Sequence, residues 1–247
     1  AELVQRRPAA LALAATLVML VLAAPALGLR LATADASNDP QSATTHKAYE
    51  LLAEGFGQGF NGPLLIAAKL PPADAASALA RLSAAIGRTP GVASVARPQL
   101  NAAGETAAIT VYPTTSPESS QTYNLVTRLR DQVIPPIERA SGANVYVGGF
   151  TATQVDETHL ISSRLPVFIA VVIAVSALLL LLVFRSLVIP IQAAIMNLLT
   201  IVASLGFVQA IFERGWLAGL FGAQRGPIAP WLPVLVFAIV FGLSMDY

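Results

Sequence analysis

Cysteine is absent from the 247 residues, which excludes a disulfide framework, a thiolate metal site and a cysteine nucleophile. Charge is scarce: 12% of residues are Asp, Glu, Lys or Arg, about half of the roughly 25% in an ordinary globular chain. The 15 basic and 14 acidic side chains nearly cancel to a formal net charge of +1. No basic stripe interleaved with aromatic residues occurs, so nucleic acid is excluded as a partner. The two histidines, His46 and His159, lie far apart in sequence. Neither has a carboxylate or second histidine at ligand spacing, so no metal site is expected. Gly-x-Ser-x-Gly, zinc-protease and ATP-binding motifs are missing, and neither catalytic residues nor a cofactor are expected. Gly55, Gly57, Gly59 and Gly62 follow a helix and precede a strand, the reverse of a dinucleotide-binding turn, and read as a flexible connection.

What the chain does have is apolar bulk, 55% of residues, gathered into blocks rather than spread at a period of two or 3.6. A spanning helix needs about 20 apolar residues. Pro8 to Leu29 supplies about 22, Leu165 to Phe184 about 20, Ser186 to Phe212 about 27 and Gly226 to Met245 about 20. The last block meets Asp246 with only Tyr247 beyond it, so the sequence is expected to stop inside a helix. The first block also has features of a secretory signal peptide, with Arg6-Arg7 ahead and Ala24-Pro25-Ala26-Leu27-Gly28 as a small-residue zone. Its apolar core exceeds the usual 7 to 15 or so residues, which favours a span. The expected organisation is one transmembrane helix over 8–29, a polar domain over 32–164, and three transmembrane helices over 165–247, the last truncated. Arg6, Arg7 and Arg185 on one side against Arg30, Arg164, Arg214 and Arg225 on the other leave orientation undecided by the positive-inside rule.

Within the polar segment, Gly62 to Lys69 reads as a strand and Asp74 to Arg88 as a helix with Leu79, Leu82 and Ile86 on one face. Val92 to Ala96 and Glu105 to Tyr112 read as strands across an Asn101 to Gly104 turn. A helix from about Ser119 carries Val126, Leu129, Val133 and Ile137, and Pro135-Pro136 must break or kink it. Asn144 to Val147 is the last strand. The order βαββαβ is that of an α+β ferredoxin-like domain. Ser42 to Phe56 reads as a preceding helix, and Gln154 to Arg164 is expected to run unbroken into the second span. Asp156-Glu157 reads as a solvated face.

Asp246 is the acid that falls within an apolar block. A carboxylate at the bilayer centre costs about 2.5–3.5 kcal/mol on insertion scales, so such groups are paired, protonated or placed in a wet pathway. Ala238, Gly242 and Asp246 recur at i, i+4, i+8, and the two small residues allow another helix to approach closely. Asn197, Thr200 and Ser204 form a weakly polar stripe at i, i+3, i+7. It either lines a relay or substrate portal, or packs helices through hydrogen bonds averaging about 0.6 kcal/mol, and packing is the preferred reading.

Phe241-Gly242-Leu243-Ser244-Met245-Asp246-Tyr247 resembles the Asp-Tyr helix motif of the mycobacterial membrane protein large (MMPL) family, in the resistance-nodulation-division (RND) superfamily. Arg6-Arg7-Pro8, the stretch Tyr49 to Gly57, Phe60-Asn61-Gly62-Pro63-Leu64 and Phe184-Arg185-Ser186 are also similar to this family. The resemblance implies an α-helical membrane protein with a ferredoxin-like extracytoplasmic porter domain, corresponding to the seventh to tenth transmembrane helices of such a transporter. It implies that Asp246 and Tyr247 form a proton relay with the matching pair of a first half that this sequence does not contain. It further implies proton-driven export of lipids or other hydrophobic molecules, in contact with membrane lipids, from a multi-pass position in a bacterial plasma membrane. A membrane-anchored accessory, secretion or sensor protein using the same fold is the alternative.

Overall fold

The computed structural model describes residues 8–72, 74–216 and 225–246. Arg6, Arg7 and Tyr247 lie outside the described residues, and Asp246 is described only as backbone. The helices are α1 (Pro8–Ala23), α2 (Thr44–Phe56), α3 (Ala75–Gly87), α4 (Ser120–Arg128), α5 (Ile134–Ser141), α6 (Phe150–Phe184), α7 (Val188–Phe212) and α8 (Leu232–Asp246). The strands are β1 (Leu64–Lys69), β2 (Val92–Val95), β3 (Gln99–Leu100), β4 (Thr106–Pro113) and β5 (Asn144–Gly148). The molecule is mostly helical with one small antiparallel sheet. Two compact units form: Thr33–Glu157, and the chain up to Ala32 together with the chain from Thr158.

In the first of these units, alternation along β1 buries Leu64, Ile66 and Ala68 and leaves Leu65, Ala67 and Lys69 outside, as the two-residue period of a strand requires. β1 pairs antiparallel with β4 and β5, placing Ile66 opposite both Ile109 and Val147. The sheet order is β2-β4-β1-β5, with β3 also on β4. Only two residues long, β3 shows no alternation from which it could be foreseen. Leu64, Ile66, Leu82, Ile86, Ile109 and Leu125 are each at most 2% exposed and form one core. Burying side chains of this size stabilises by about 1.5–3 kcal/mol each. On α3 the buried stripe is Ala78, Leu82 and Ile86, with Leu79 only partly covered. The helix is thus turned slightly from the expected Leu79 face, which lets the small Ala78 sit against the sheet.

The expected long helix through Pro135-Pro136 is instead α4, a π turn over Leu129–Val133, and α5. The amide of Ile134 donates to the carbonyl of Leu129, five residues back. Both prolines lack an N–H and clash with an ordinary helical ladder; a widened turn just before them relieves that conflict. It also shifts the core register, so that Ile134, 2% exposed, follows Leu129, 0% exposed, into the interior, with Val133 displaced to its edge. α5 ends at Gly142, whose φ of 71° and N–H to Glu138 O (2.7 Å) close the helix.

The glycine run is an ordered turn rather than a flexible connection. A short 3-10 helix, Gln58–Asn61, follows Gly57, and Gly59 packs so closely that a Cβ there would lie 1.9 Å from Pro113 O. Stacked rings of Phe56, Phe60 and Tyr112, with centroids 4.6 and 4.9 Å apart, tie the end of α2 to β4.

The other unit holds Pro8–Gly28, Val188–Phe212 and the part of Phe150–Phe184 from Thr158 on; among the described residues these are the 3 helices long and apolar enough to cross a membrane. The last apolar block is helical only from Leu232, for 15 residues. Pro227 and Pro230 disfavour helix ahead of it, and Pro233 is tolerated in its first turn. Ala32 N–H donates to Ile228 O (3.1 Å), holding that approach in place. α6 starts at Phe150, ahead of the expected Gln154, and continues through Pro166 to Phe184. It is stopped at Arg185, whose φ of 50° is left-handed.

Candidate functional site

Asn197 is 7% exposed and lines a cavity of about 10 Å³ with Ser176 and Leu180 of α6, Pro190 of α7 and Phe241 of α8. That volume suits about one water molecule. The Ser176 hydroxyl donates to Val172 O (2.9 Å) on its own helix. Thr200 and Ser204 behave similarly: their hydroxyls donate to Met196 O and Thr200 O, each at 2.8 Å. Such back-bonding satisfies them within α7, and neither lines the cavity. Of the polar stripe, only Asn197 is therefore brought to the place where α6, α7 and α8 meet.

α8 is anchored by Phe237, 1% exposed, which meets Phe168 edge-on (5.4 Å) and stacks with Phe241 (5.3 Å). The neighbouring face is bare. Ala238 and Gly242 are exposed, and a Cβ built on Gly242 meets nothing within 4 Å among the described residues. Helical periodicity puts the backbone position of Asp246 on that same face.

Between α1 and α7, Leu20, Leu27, Leu198 and Val202 border an apolar groove of about 490 Å³. Farther along the same pair of helices, Gly206 lies against the backbone at Leu22. The groove has the chemistry to hold hydrocarbon and offers almost nothing to a polar group.

The Thr33–Glu157 unit contains a polar cleft of about 400 Å³ bordered by His46, Tyr49, Glu50, Glu54 and Glu118. The expectation that His46 has no carboxylate at ligand spacing is corrected here: its Nε2 lies 3.2 Å from Glu50 Oε1, at i+4 on α2. Among the described residues, no group of three or more His, Cys, Asp or Glu side chains is arranged to hold a metal ion. Burial, then the charge of Asp35 and its hydrogen bond, then the charge of Glu118, push the Tyr49 phenol well above its ordinary range. On another side of the unit Asp156 is not merely solvated: Arg130 pairs with it (Nη2–Oδ2 3.0 Å) and also donates to Val147 O (2.7 Å).

Apolar helices of spanning length, a buried amide where they meet and an attached α+β unit define a membrane protein. The chain belongs to the MMPL family, whose model matches residues 37–247. It is 35% identical over 247 residues to "Membrane protein YdfJ" of Bacillus subtilis (strain 168), covering 99% of this chain and 33% of that protein. It is 29% identical over 253 residues to "Mycolic acid-containing lipids exporter MmpL11" of Mycolicibacterium smegmatis, covering 99% of this chain and 26% of that one. It is also 34% identical over 106 residues to "Trehalose monomycolate exporter MmpL3" of the same organism, covering 43% of this chain and 10% of the exporter. The chain thus spans about a third or less of the length of these relatives.

Proposed function

We propose that the chain is one half of a proton-motive-force-driven exporter of lipids or other hydrophobic molecules in a bacterial plasma membrane. In this reading residues 8–29 and the apolar helices of 165–247 cross the bilayer, and 32–164 form an extracytoplasmic porter domain. Asp246 binds and releases the proton, and Tyr247 pairs with the matching Asp-Tyr helix of the other half. The reading is carried by the bare Ala238–Gly242 face of α8, which continues to the Asp246 position and has no covering helix among the described residues. Close approach of a further helix there would shield an acid from lipid.

A ferredoxin-like domain is supported by the strand order β2-β4-β1-β5, with antiparallel neighbours and two helical crossings. Export of lipid is supported by the names of the MmpL11 and MmpL3 relatives and by the hydrocarbon-lined groove between α1 and α7. Asn197, beside Phe241 on α8, is suited to hold a water on the proton path; Thr200 and Ser204 act in helix packing. A proton crossing 100 mV supplies about 2.3 kcal/mol, a source of work that needs no ATP-binding motif. In the full-length transporter, Asp246→Asn should abolish export while expression and folding persist. Undiminished export by that variant removes the relay assignment.

A further inference from the structure

We propose that Glu138 and Arg130 guard the outer edge of β5 and keep the Thr33–Glu157 unit from joining a second copy of this chain strand to strand. β5 ends the sheet and pairs with β1 alone. Such an edge carries a row of N–H and C=O groups on which another strand can form. In an antiparallel ladder the N–H and C=O of one residue point the same way, and successive residues alternate. On β5 the outward set belongs to Val145 and Val147, which are met by side chains instead of a strand. The Val145 N–H donates to Glu138 Oε1 (2.8 Å), and Val147 O accepts from Arg130 Nη2 (2.7 Å). Glu138 comes from α5 and Arg130 from the π turn, so two separate elements converge on one strand edge. Arg130 is braced in this position by its pairing with Asp156 of α6 (Nη2–Oδ2 3.0 Å).

The two capped groups are partners in the dimer that they prevent. Two β5 strands related by a twofold axis at Tyr146 would set Val145 of each copy opposite Val147 of the other, a pair that exchanges two hydrogen bonds. One of these runs from the Val145 N–H to Val147 O, and it is blocked at both ends, as is its symmetry mate. Tyr146 would face its own equivalent at a non-hydrogen-bonded position, with Cα atoms about 4.5 Å apart. It is 69% exposed on the uncovered side of the sheet, and aromatic pairs across strands are favourable. Without the two caps, the edge is competent to pair with itself.

The test exploits the absence of cysteine from the chain. Tyr146→Cys is introduced into the full chain in an uncharged maltoside detergent, copper phenanthroline is added, and disulfide-linked dimer is followed on non-reducing gels. A Cα separation of about 4.5 Å is within disulfide reach. Dimer should form slowly with Glu138 and Arg130 intact. It should form about tenfold faster or more with Glu138→Ala/Arg130→Met, the scale of two recovered backbone hydrogen bonds. Glu138→Gln keeps an acceptor oxygen and should stay slow, which separates capping from charge. Asn144→Cys in the Glu138→Ala/Arg130→Met background should also stay slow, because the twofold axis sets its equivalents about 14 Å apart along the strands; this distinguishes the β5 edge from contact through α8. If the double variant melts early, Glu138→Ala alone should still speed cross-linking measurably. Equal rates with and without the caps, fast cross-linking with Glu138→Gln, or equal cross-linking from positions 144 and 146 overturns the proposal.

Discussion

Gly206 of α7 sits so close to α1 that a Cβ on it would lie 2.1 Å from the carbonyl oxygen of Leu22. Nothing larger than hydrogen fits between these two backbones. Gly206→Ala should therefore push α1 from α7 and cost about 1–3 kcal/mol, the usual penalty of overpacking. Thermal unfolding of the chain in detergent should show a clearly lowered midpoint, and Gly206→Val a larger drop. A Gly206→Ala protein that melts like the parent would mean the two helices do not meet there.

Asn197 is buried where α6, α7 and α8 meet, so its amide should contribute to helix association at the scale of membrane hydrogen bonds. Asn197→Leu is expected to change stability by about 0.6 kcal/mol, and by no more than about 1.7. Denaturation in mixed micelles measures this directly. A loss well beyond that range would show that the amide holds more than one strong bond.

Arg130 joins the π turn to both β5 and α6 through Val147 O and Asp156. The Asp156 side chain is 59% exposed, so Asp156→Asn should cost only about 0–1 kcal/mol. Arg130→Met also removes the donor to Val147 O and should cost more, about 1–3 kcal/mol. Equal losses for the two variants in chemical denaturation would contradict this ordering.

Tyr49 predicts a pH dependence with a definite sign. Burial first, then Asp35 and Glu118, raise its phenol above the ordinary value, so the folded protein favours the neutral form. The stability this provides is intact below the ordinary tyrosine pKa of about 10 and is lost as pH rises above it. Melting midpoints between about pH 8 and 11 should fall more steeply for the parent than for Tyr49→Phe. Ultraviolet difference absorbance should show the latest-titrating phenol missing from that variant. Identical pH profiles would exclude the interaction of Tyr49 with its acidic neighbours.

Much of the α+β unit was legible wherever one physical period governs a segment. The short apolar run Leu64-Leu65-Ile66 ahead of Lys69 declares β1, and the spacing of Leu82 and Ile86 declares the inner face of α3. Legibility failed where a second constraint overrode the period. Pro135 and Pro136 forced a π turn that advances Ile134 into the core in place of Val133, an outcome a fixed 3.6-residue repeat does not anticipate. Gly59 looked like slack, yet its missing side chain is filled by Pro113, a contact distant in sequence. The acidic cleft was invisible for the same reason: Glu118 meets α2 only after the chain has folded back. The His46–Glu50 pair, by contrast, was readable at i+4 without any structure.

The bare strip on α8 has a practical consequence. Prepared by itself, this chain offers Ala238 and Gly242 to whatever lies alongside, and two such smooth helices can touch backbone to backbone. Twofold self-association in detergent would then be an adhesion of orphaned surfaces, and cross-linking or native mass spectra should not be equated with quaternary structure in cells.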